Sequence, residues 1–250
     1  YVVGPNDGRD EHCDDPPTEP LATGRPVTSH RGQRLYDWWS RHDRAFGLLY
    51  DLAFLSGEQS FRDRSIEALG IEAGDSVLEL GCGPGNSFAA LREQVGESGR
   101  VVGVDYSAGM VDRATRRVRE EGWENVDVVQ GDATTLGIEP DSFDGVYAAM
   151  SLTAMPDPDA AIRAAFTVLQ NGGRIAVLDA QPFQAFPWTL LNTFVVPISK
   201  WTTNWNVDAD VQLALRDAFD SVSISEANGG TVLIAHGLKQ RDDSTPTDRA

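Results

Sequence analysis

The sequence predicts an α/β fold in which a seven-stranded, mostly parallel sheet has helices on both faces. Short apolar stretches alternate with helix-like stretches from Val77 to Leu178, as is typical of parallel strands joined by helical crossovers. The pattern then changes, because two late strand-like stretches flank Asn228-Gly229-Gly230, a turn sequence typical of hairpins. The sequence therefore predicts an antiparallel hairpin at one edge of the sheet.

The individual elements follow from the apolar patterns and their end signals. An aromatic-rich segment from Tyr36 to Tyr50 is expected to be helical, and Gly70 should end a helix that contains Phe61 and Leu69. Further helices are predicted at Phe88–Val95, from the N-cap Ser107 to Glu121, and at Pro158–Leu169. The strands are predicted at Val77–Leu80, Val101–Val104, Val126–Gln130, Phe143–Ala148, Arg174–Leu178, Val222–Ser225 and Thr231–Ala235.

Composition limits the domain organisation. The length of 250 residues suits one domain with tails. We expect a disordered or loosely docked acidic arm at 1–31, a domain at 32–240 and a disordered tail at 241–250. Within the domain, 32–58 should form a helical cap and 182–206 an aromatic lid.

Charge and cysteine content exclude several classes of partner. The net charge of −17 disfavours nucleic acid. Only Lys200 and Lys239 are lysines, and such an acidic, lysine-poor composition resembles cytoplasmic proteins of halophiles. Cys13 and Cys82 form neither a disulfide framework nor a metal cluster, so no metal and a reducing, cytoplasmic location are expected. No secretion signal and no membrane-spanning stretch are expected.

A glycine-rich loop follows the first predicted strand. It reads Gly81, Cys82, Gly83, Pro84 and Gly85, and it lies where open α/β sheets bind ligands. The preceding Glu79 places a carboxylate near the end of the strand. A P-loop is excluded because no Gly-Lys-Ser/Thr sequence follows the glycines.

Two acidic residues after the loop indicate which class of ligand it binds. Asp105 ends the second strand about twenty residues past the loop, the position from which a carboxylate accepts hydrogen bonds from a ribose diol. Asp132 follows the third strand and could accept from an adenine amino group beside the small Ala133. The loop lacks the later third glycine of dinucleotide folds, which favours an adenosyl cofactor, although an NAD-dependent oxidoreductase remains an alternative.

From about Phe61 to Leu238 the chain resembles the class I S-adenosylmethionine-dependent methyltransferases, whose fold is Rossmann-like. The association of Asp105 with Ser107, Met110 and Ala114 looks most like the ubiquinone/menaquinone C-methyltransferase branch. The motifs that carry the resemblance are Leu78 to Gly85, Gly103 to Ser107, Gly131-Asp132-Ala133, Phe143-Asp144 and Gly172-Gly173-Arg174.

The resemblance implies roles for particular residues. The loop would approach the methionine moiety and ribose of S-adenosyl-L-methionine, and Asp105 would bind the ribose hydroxyls. Tyr106 and Met110 would pack near the adenine, whose edge Asp132 and Ala133 would bind. Ala149, Met150 and Ser151 would line the path to the acceptor. Glu79 is either a cofactor contact or a buried structural carboxylate, and Cys82 is a loop filler rather than a nucleophile.

The acceptor is inferred from the segment between Pro182 and Trp205. Its aromatic and aliphatic residues suit a small, lipophilic, quinone- or lipid-like acceptor, with peripheral membrane contact. Helix packing on the sheet and a homodimer contact are the alternatives. His42 and Tyr36 are candidates for a catalytic role, and a non-catalytic S-adenosylmethionine-binding protein remains a further alternative.

Overall fold

The computed structural model describes residues 31–42, 57–184 and 186–240 of the chain. Within these residues the helices are α1 Arg31–Trp39, α2 Glu58–Leu69, α3 Phe88–Val95, α4 Ala108–Glu121, α5 Pro158–Val168, α6 Asn192–Thr203 and α7 Val211–Ala218. The strands are β1 Ser76–Leu80, β2 Arg100–Asp105, β3 Val126–Gln130, β4 Phe143–Ala149, β5 Leu169–Ala180, β6 Ser221–Ala227 and β7 Val232–Leu238.

The seven strands form one mixed sheet in the order β3-β2-β1-β4-β5-β7-β6. Strands β1 to β5 are parallel, while β7 pairs antiparallel with both β5 and β6. The predicted fold class, including the antiparallel hairpin edge, is confirmed. Because β2 and β4 flank β1, the direction of winding reverses there, and open α/β sheets bind ligands at such a point.

The sheet is buried on both faces, so its central strands are apolar without alternation. Val77 and Leu78 of β1 point to opposite faces, and each is 0% exposed. One face packs with Leu91 of α3 and Ile66 of α2, and the other packs with Leu215 of α7. The rigid sheet therefore fixes where the carboxyl ends of the strands lie.

Helix ends match the signals in the sequence. The Ser107 hydroxyl accepts a hydrogen bond from the Met110 amide at the start of α4, as predicted for an N-cap. Gly70 ends α2 in the left-handed conformation, and Gly122 does the same for α4.

The structure corrects two predictions about elements. Strand β5 begins at Leu169 rather than Arg174, because Leu169 already pairs with Phe143, and α5 consequently ends at Val168. Helix α7 was not predicted, although Val211 and Leu215 lie one turn apart and both are buried.

The predictions for the N-terminal arm, the helical cap and the C-terminal tail fall only partly on residues that the structure describes. Helix α1 spans Arg31–Trp39, so Arg31 belongs to a helix rather than to the expected arm. The rest of that arm, the cap residues 43–56 and the tail 241–250 lie outside the described residues. No helix in the described ranges is long and apolar enough to cross a bilayer.

Candidate functional site

A cavity of about 440 Å³ lies at the carboxyl ends of β1, β2 and β4, and we call it the strand-end cavity. Nearly all of the predicted cofactor residues line it, and Gly85 is the exception. Those that line it are Glu79, Gly81, Cys82, Gly83, Pro84, Asp105, Tyr106, Met110, Asp132, Ala133, Ala149 and Met150. The fold thus brings residues from four separate stretches of the sequence into the lining of one cavity.

The three loop glycines have positive φ angles but different surroundings. A Cβ on Gly81 would lie 2.5 Å from the Ser151 Cβ, and one on Gly85 would lie 2.5 Å from the Phe88 ring. A Cβ on Gly83, in contrast, would meet no atom within 4 Å. Gly81 and Gly85 therefore allow close packing, whereas Gly83 leaves open space in which a ligand can approach the backbone.

Asp105 connects the glycine loop to the start of α4. Its Oδ2 accepts from the Gly83 amide and its Oδ1 accepts from the Ser107 amide, both at 2.8 Å. Burial raises the pKa of this carboxyl to about 6, against the effect of these two hydrogen bonds. Since a carboxylate oxygen can accept more than one hydrogen bond, both oxygens could also receive hydroxyl donors from a ligand.

Glu79 is a buried carboxyl on β1 that is only 1% exposed. Burial raises its pKa to about 7, while a hydrogen bond with Ser87 and the charge of Arg62 act in the opposite direction. Its Oε2 has no hydrogen-bond partner among the described residues. A buried oxygen without a donor costs free energy, so the site fits a ligand that supplies a positively charged donor.

Arg62 and Glu58 also line the strand-end cavity, and sequence reasoning missed both. The Arg62 guanidinium donates at 2.5 Å to the Ser87 hydroxyl and at 2.5 Å to Glu58 Oε1. In the sequence, Glu58 and Arg62 are four residues apart, which is the spacing of an exposed ion pair on one face of a helix. In the structure, α2 packs against α3 and leaves Arg62 only 5% exposed.

The remaining predicted residues lie at the ends of β2, β3 and β4. Asp132 Oδ1 accepts from the Thr134 amide at 2.9 Å and from its hydroxyl at 2.7 Å, which fixes the carboxylate in a turn. Met110 is buried in the first turn of α4. The Ser151 hydroxyl donates to the Leu80 carbonyl at 2.7 Å and so links the ends of β4 and β1.

A second cavity of about 650 Å³ adjoins the first, and we call it the aromatic cavity. Tyr36, Met150 and Ala154 line both cavities. The walls of the aromatic cavity are largely apolar, with the polar groups Asp179, Thr153 and Gln181 at the sheet end. Its apolar residues include Phe183, Trp188, Leu191, Val195, Ile198 and Trp205.

The two candidate catalytic residues lie in different places. Tyr36 lies between the two cavities, where its hydroxyl donates to the Thr203 carbonyl at 2.9 Å. His42 is exposed and lines neither cavity; its Nδ1 lies 2.9 Å from the Trp38 carbonyl oxygen, and its ring stacks on the Trp38 indole. The structure therefore brings only Tyr36 to the site.

Comparison with known sequences places the chain in a family. Residues 71–233 match a model described as a methyltransferase domain. A demethylmenaquinone methyltransferase from Lactobacillus johnsonii is 31% identical over 227 residues, which is 83% of this chain and 93% of that relative.

Solved structures show the same fold. A SAM-dependent methyltransferase from Aquifex aeolicus aligns with a TM-score of 0.55 at 19% identity, over 71% of this chain and 89% of that one. A phosphoethanolamine N-methyltransferase of Haemonchus contortus, solved with S-adenosyl-L-methionine, aligns with a TM-score of 0.61 at 15% identity, over 72% of this chain and 52% of that one. The protein therefore belongs to the class I S-adenosylmethionine-dependent methyltransferases and is related to their quinone C-methyltransferase branch.

Proposed function

We propose that this methyltransferase transfers a methyl group to a lipophilic, quinol-like acceptor. In this proposal S-adenosylmethionine occupies the strand-end cavity and the acceptor occupies the aromatic cavity. The observation that carries the proposal is the junction of the two cavities at Tyr36, Met150 and Ala154, because methyl transfer requires donor and acceptor to meet.

The methionine end of the cofactor is assigned to the loop side of the strand-end cavity. Its ammonium group would supply the donor that Glu79 Oε2 lacks. Its carboxylate would lie toward Arg62, which is the buried cation in the cavity wall. Gly83 supports this placement, since the space beside its Cα is open.

The nucleoside end is assigned to the side formed by β2 and β3. Asp105 would accept hydrogen bonds from the ribose hydroxyls while it still holds the loop and α4. Tyr106 and Met110 would pack against the adenine, and Asp132 with Ala133 would contact its edge. The cofactor assignment thus uses the residues that the sequence pattern selected.

When bound, S-adenosylmethionine supplies an electrophilic methyl group on a sulfonium. The residues of the chain orient the reactants and exclude water, and orientation alone can account for most of the rate acceleration. Ala149 ends β4 in the strand-end cavity and the next residue, Met150, lies at the junction, so both would border the line of attack. Because the Tyr36 hydroxyl donates its proton to the Thr203 carbonyl, its oxygen could accept a hydrogen bond from the acceptor's hydroxyl and orient the acceptor at the junction.

The acceptor class rests on the lining of the aromatic cavity and on the name of a relative. Most of the lining is apolar, which suits a prenylated or otherwise lipophilic ring compound. The polar residues at the sheet end are already hydrogen-bonded within the protein, since the Thr153 hydroxyl donates to Asp179 and the Gln181 amide donates to Glu226. Their oxygens could accept a further hydrogen bond from a ring hydroxyl. The Lactobacillus johnsonii relative is named for the methylation of demethylmenaquinone, which supports a quinol of this type.

The test is transfer of a labelled methyl group from S-adenosylmethionine to a short-chain demethylmenaquinol in detergent. A matched pair of variants on α6 separates the two cavities: Ser199→Trp fills the aromatic cavity, and Thr193→Trp places the same side chain at an exposed position outside its lining. We expect Ser199→Trp to raise the KM for the quinol by about tenfold, with unchanged cofactor affinity, while Thr193→Trp behaves like the wild type.

Two results would contradict the proposal. Cofactor binding without transfer to any quinol would favour a non-catalytic S-adenosylmethionine-binding protein. Transfer that is equally efficient in the wild type and in Ser199→Trp would remove the acceptor from the aromatic cavity.

A further inference from the structure

The outer surface of the aromatic segment carries an exposed apolar patch. We define its docking face as four side chains that are each 64% to 80% exposed and do not line the aromatic cavity: Phe186, Leu190, Phe194 and Trp201. Four exposed apolar side chains beside this face also line the aromatic cavity, namely Trp188, Leu191, Val195 and Ile198. The other exposed large apolar side chains of the described ranges are Trp38 and Leu213. Contiguous patches of this kind mark sites of contact with proteins or membranes.

Helix α6 places apolar residues both toward the protein and away from it. Val195 and Ile198 line the aromatic cavity, whereas Phe194 and Trp201, two turns apart, are 69% and 72% exposed. No residue of α6 is buried. Large apolar side chains on the outer side of a helix are normally covered, and no described residue covers Phe194 or Trp201.

Two side chains of α1 form hydrogen bonds with the C-terminal end of α6. The Trp39 indole donates to the Thr202 carbonyl at 2.6 Å, and the Tyr36 hydroxyl donates to the Thr203 carbonyl. These contacts hold the helix over the cavity while the docking face points outward. The face is therefore held in place and is not a frayed end.

The charge pattern indicates the chemistry of the partner. The chain carries 38 acidic residues, yet none lies between Ala180 and Val207. Lys200, one of the two lysines, lies within this stretch and next to Trp201. The Lys200 Nζ lies 3.5 Å from Oδ2 of the exposed Asp208, just beyond this stretch. Tryptophan and phenylalanine beside a lysine, in a stretch that itself has no carboxylate, are typical of segments that lie at a lipid–water interface. The rest of the chain, with its large negative charge, is unsuited to that interface.

We propose that the docking face binds the surface of a lipid bilayer and inserts its aromatic side chains to interfacial depth. Helix α6, which carries Phe194 and Trp201 of this face, also lines the aromatic cavity, so a lipophilic ligand could pass between bilayer and cavity without crossing water. This transfer of a ligand rests on the proposed function, whereas bilayer binding does not. Burial of the face against a second copy of the chain is an outcome that the test distinguishes.

The test is flotation of the full chain with phosphatidylcholine vesicles, and with vesicles of phosphatidylcholine and phosphatidylglycerol in equal parts. The variant is Phe194→Ser/Trp201→Ser, and the matched control is Leu213→Ser, which removes an apolar side chain 53% exposed on α7. We expect the wild type and the control to float and the double variant to lose about tenfold or more in vesicle affinity. High salt should not weaken binding, because burial of apolar surface drives it and screening reduces the repulsion of anionic lipid.

Three outcomes would overturn the docking face. In the first, the wild type does not float with vesicles. In the second, the double variant floats as well as the wild type. In the third, the wild type forms a dimer, the double variant is a monomer, and neither protein binds vesicles. Calorimetry with S-adenosylmethionine on all three proteins shows whether the fold and the cofactor site remain intact.

Failure of the proposed function gives a different result. A wild type that floats but methylates no quinol would overturn the proposed acceptor and leave bilayer binding standing. A wild type that methylates quinol in detergent but does not float would overturn only the docking face.

Discussion

The two cavities are built in different ways. The strand-end cavity is formed by backbone loops at the ends of buried strands, and carboxylates such as Asp105 bind those loops at 2.8 Å. The aromatic cavity lies beneath α6, a helix without a buried residue that the Tyr36 and Trp39 side chains anchor. We therefore expect the strand-end half of the site to be fixed in shape and the half beneath α6 to be adaptable.

The largest expected effect is that of Asp105→Ala on the fixed half. The variant loses the acceptor for two backbone amides as well as the proposed ribose contact, so we expect cofactor affinity to fall about a hundredfold or more. Calorimetry with S-adenosylmethionine measures this. Asp127→Ala, which removes a half-exposed carboxylate paired with Arg100 on the surface, is the control. Unchanged affinity in Asp105→Ala would remove this residue from the site.

A pair of glycine variants separates backbone strain from ligand contact. Gly83 and Gly122 have φ angles of 53° and 67°, and a Cβ on either would meet no atom within 4 Å. Alanine should therefore cost each site about 1–2 kcal/mol in the free energy of unfolding, measured by urea denaturation. Only Gly83→Ala should also weaken cofactor binding, by about tenfold, because only Gly83 lines the strand-end cavity. Equal cofactor affinity in both variants would contradict the placement of the methionine end.

The pH dependence of Glu79 tests the buried carboxyl. Its pKa of about 7 in the folded protein exceeds its usual 4.5, so the folded state retains a proton that the unfolded chain has lost. The free energy of unfolding should therefore fall as the pH rises from about 4.5 to about 7. Cofactor affinity should rise over the upper part of this range, because the ammonium group requires the ionised carboxylate.

The matched variant is Glu79→Gln, which cannot ionise. It should lose the rise in cofactor affinity near pH 7, as followed by calorimetry across the pH range. Its unfolding should lose the part of the pH dependence that Glu79 contributes and keep the parts of Asp105, whose pKa is about 6, and of Asp179, whose pKa burial also raises. The same rise of affinity in both proteins would show that Glu79 does not bind the ammonium group.

The smallest expected effect lies on the adaptable half. Phe194→Ser removes a large side chain that is 69% exposed, so the free energy of unfolding should change by less than about 0.5 kcal/mol. Thermal or urea denaturation measures it. A loss of several kcal/mol would show that α6 is packed as tightly as the sheet, and the contrast between the two cavities would then be wrong.

Local patterns explain why the sheet and most of the strand-end cavity could be predicted. Positive-φ glycines, the Ser107 N-cap and carboxylates at strand ends act over a few residues, and parallel strands align their carboxyl ends whatever their neighbours are. Helix α7 was missed although its N-cap Asp210 and the spacing of Val211 and Leu215 are local signals of a helix. The burial of Arg62, in contrast, could not be predicted in this way. An Arg four residues after Glu58 has the spacing of a surface pair, and only helix packing buries it.

The sequence by itself determined the α/β fold and most of the residues that line the strand-end cavity, because glycine loops, N-caps and strand ends depend on local backbone requirements. The motifs within these same stretches indicated the family. The tertiary structure alone decided which partners those residues have. It buried Glu79 beside Arg62, brought Tyr36 rather than His42 to the junction of the cavities, and left the outer side of α6 uncovered. Burial and long-range contact depend on how distant elements pack, and no short stretch of sequence contains that information.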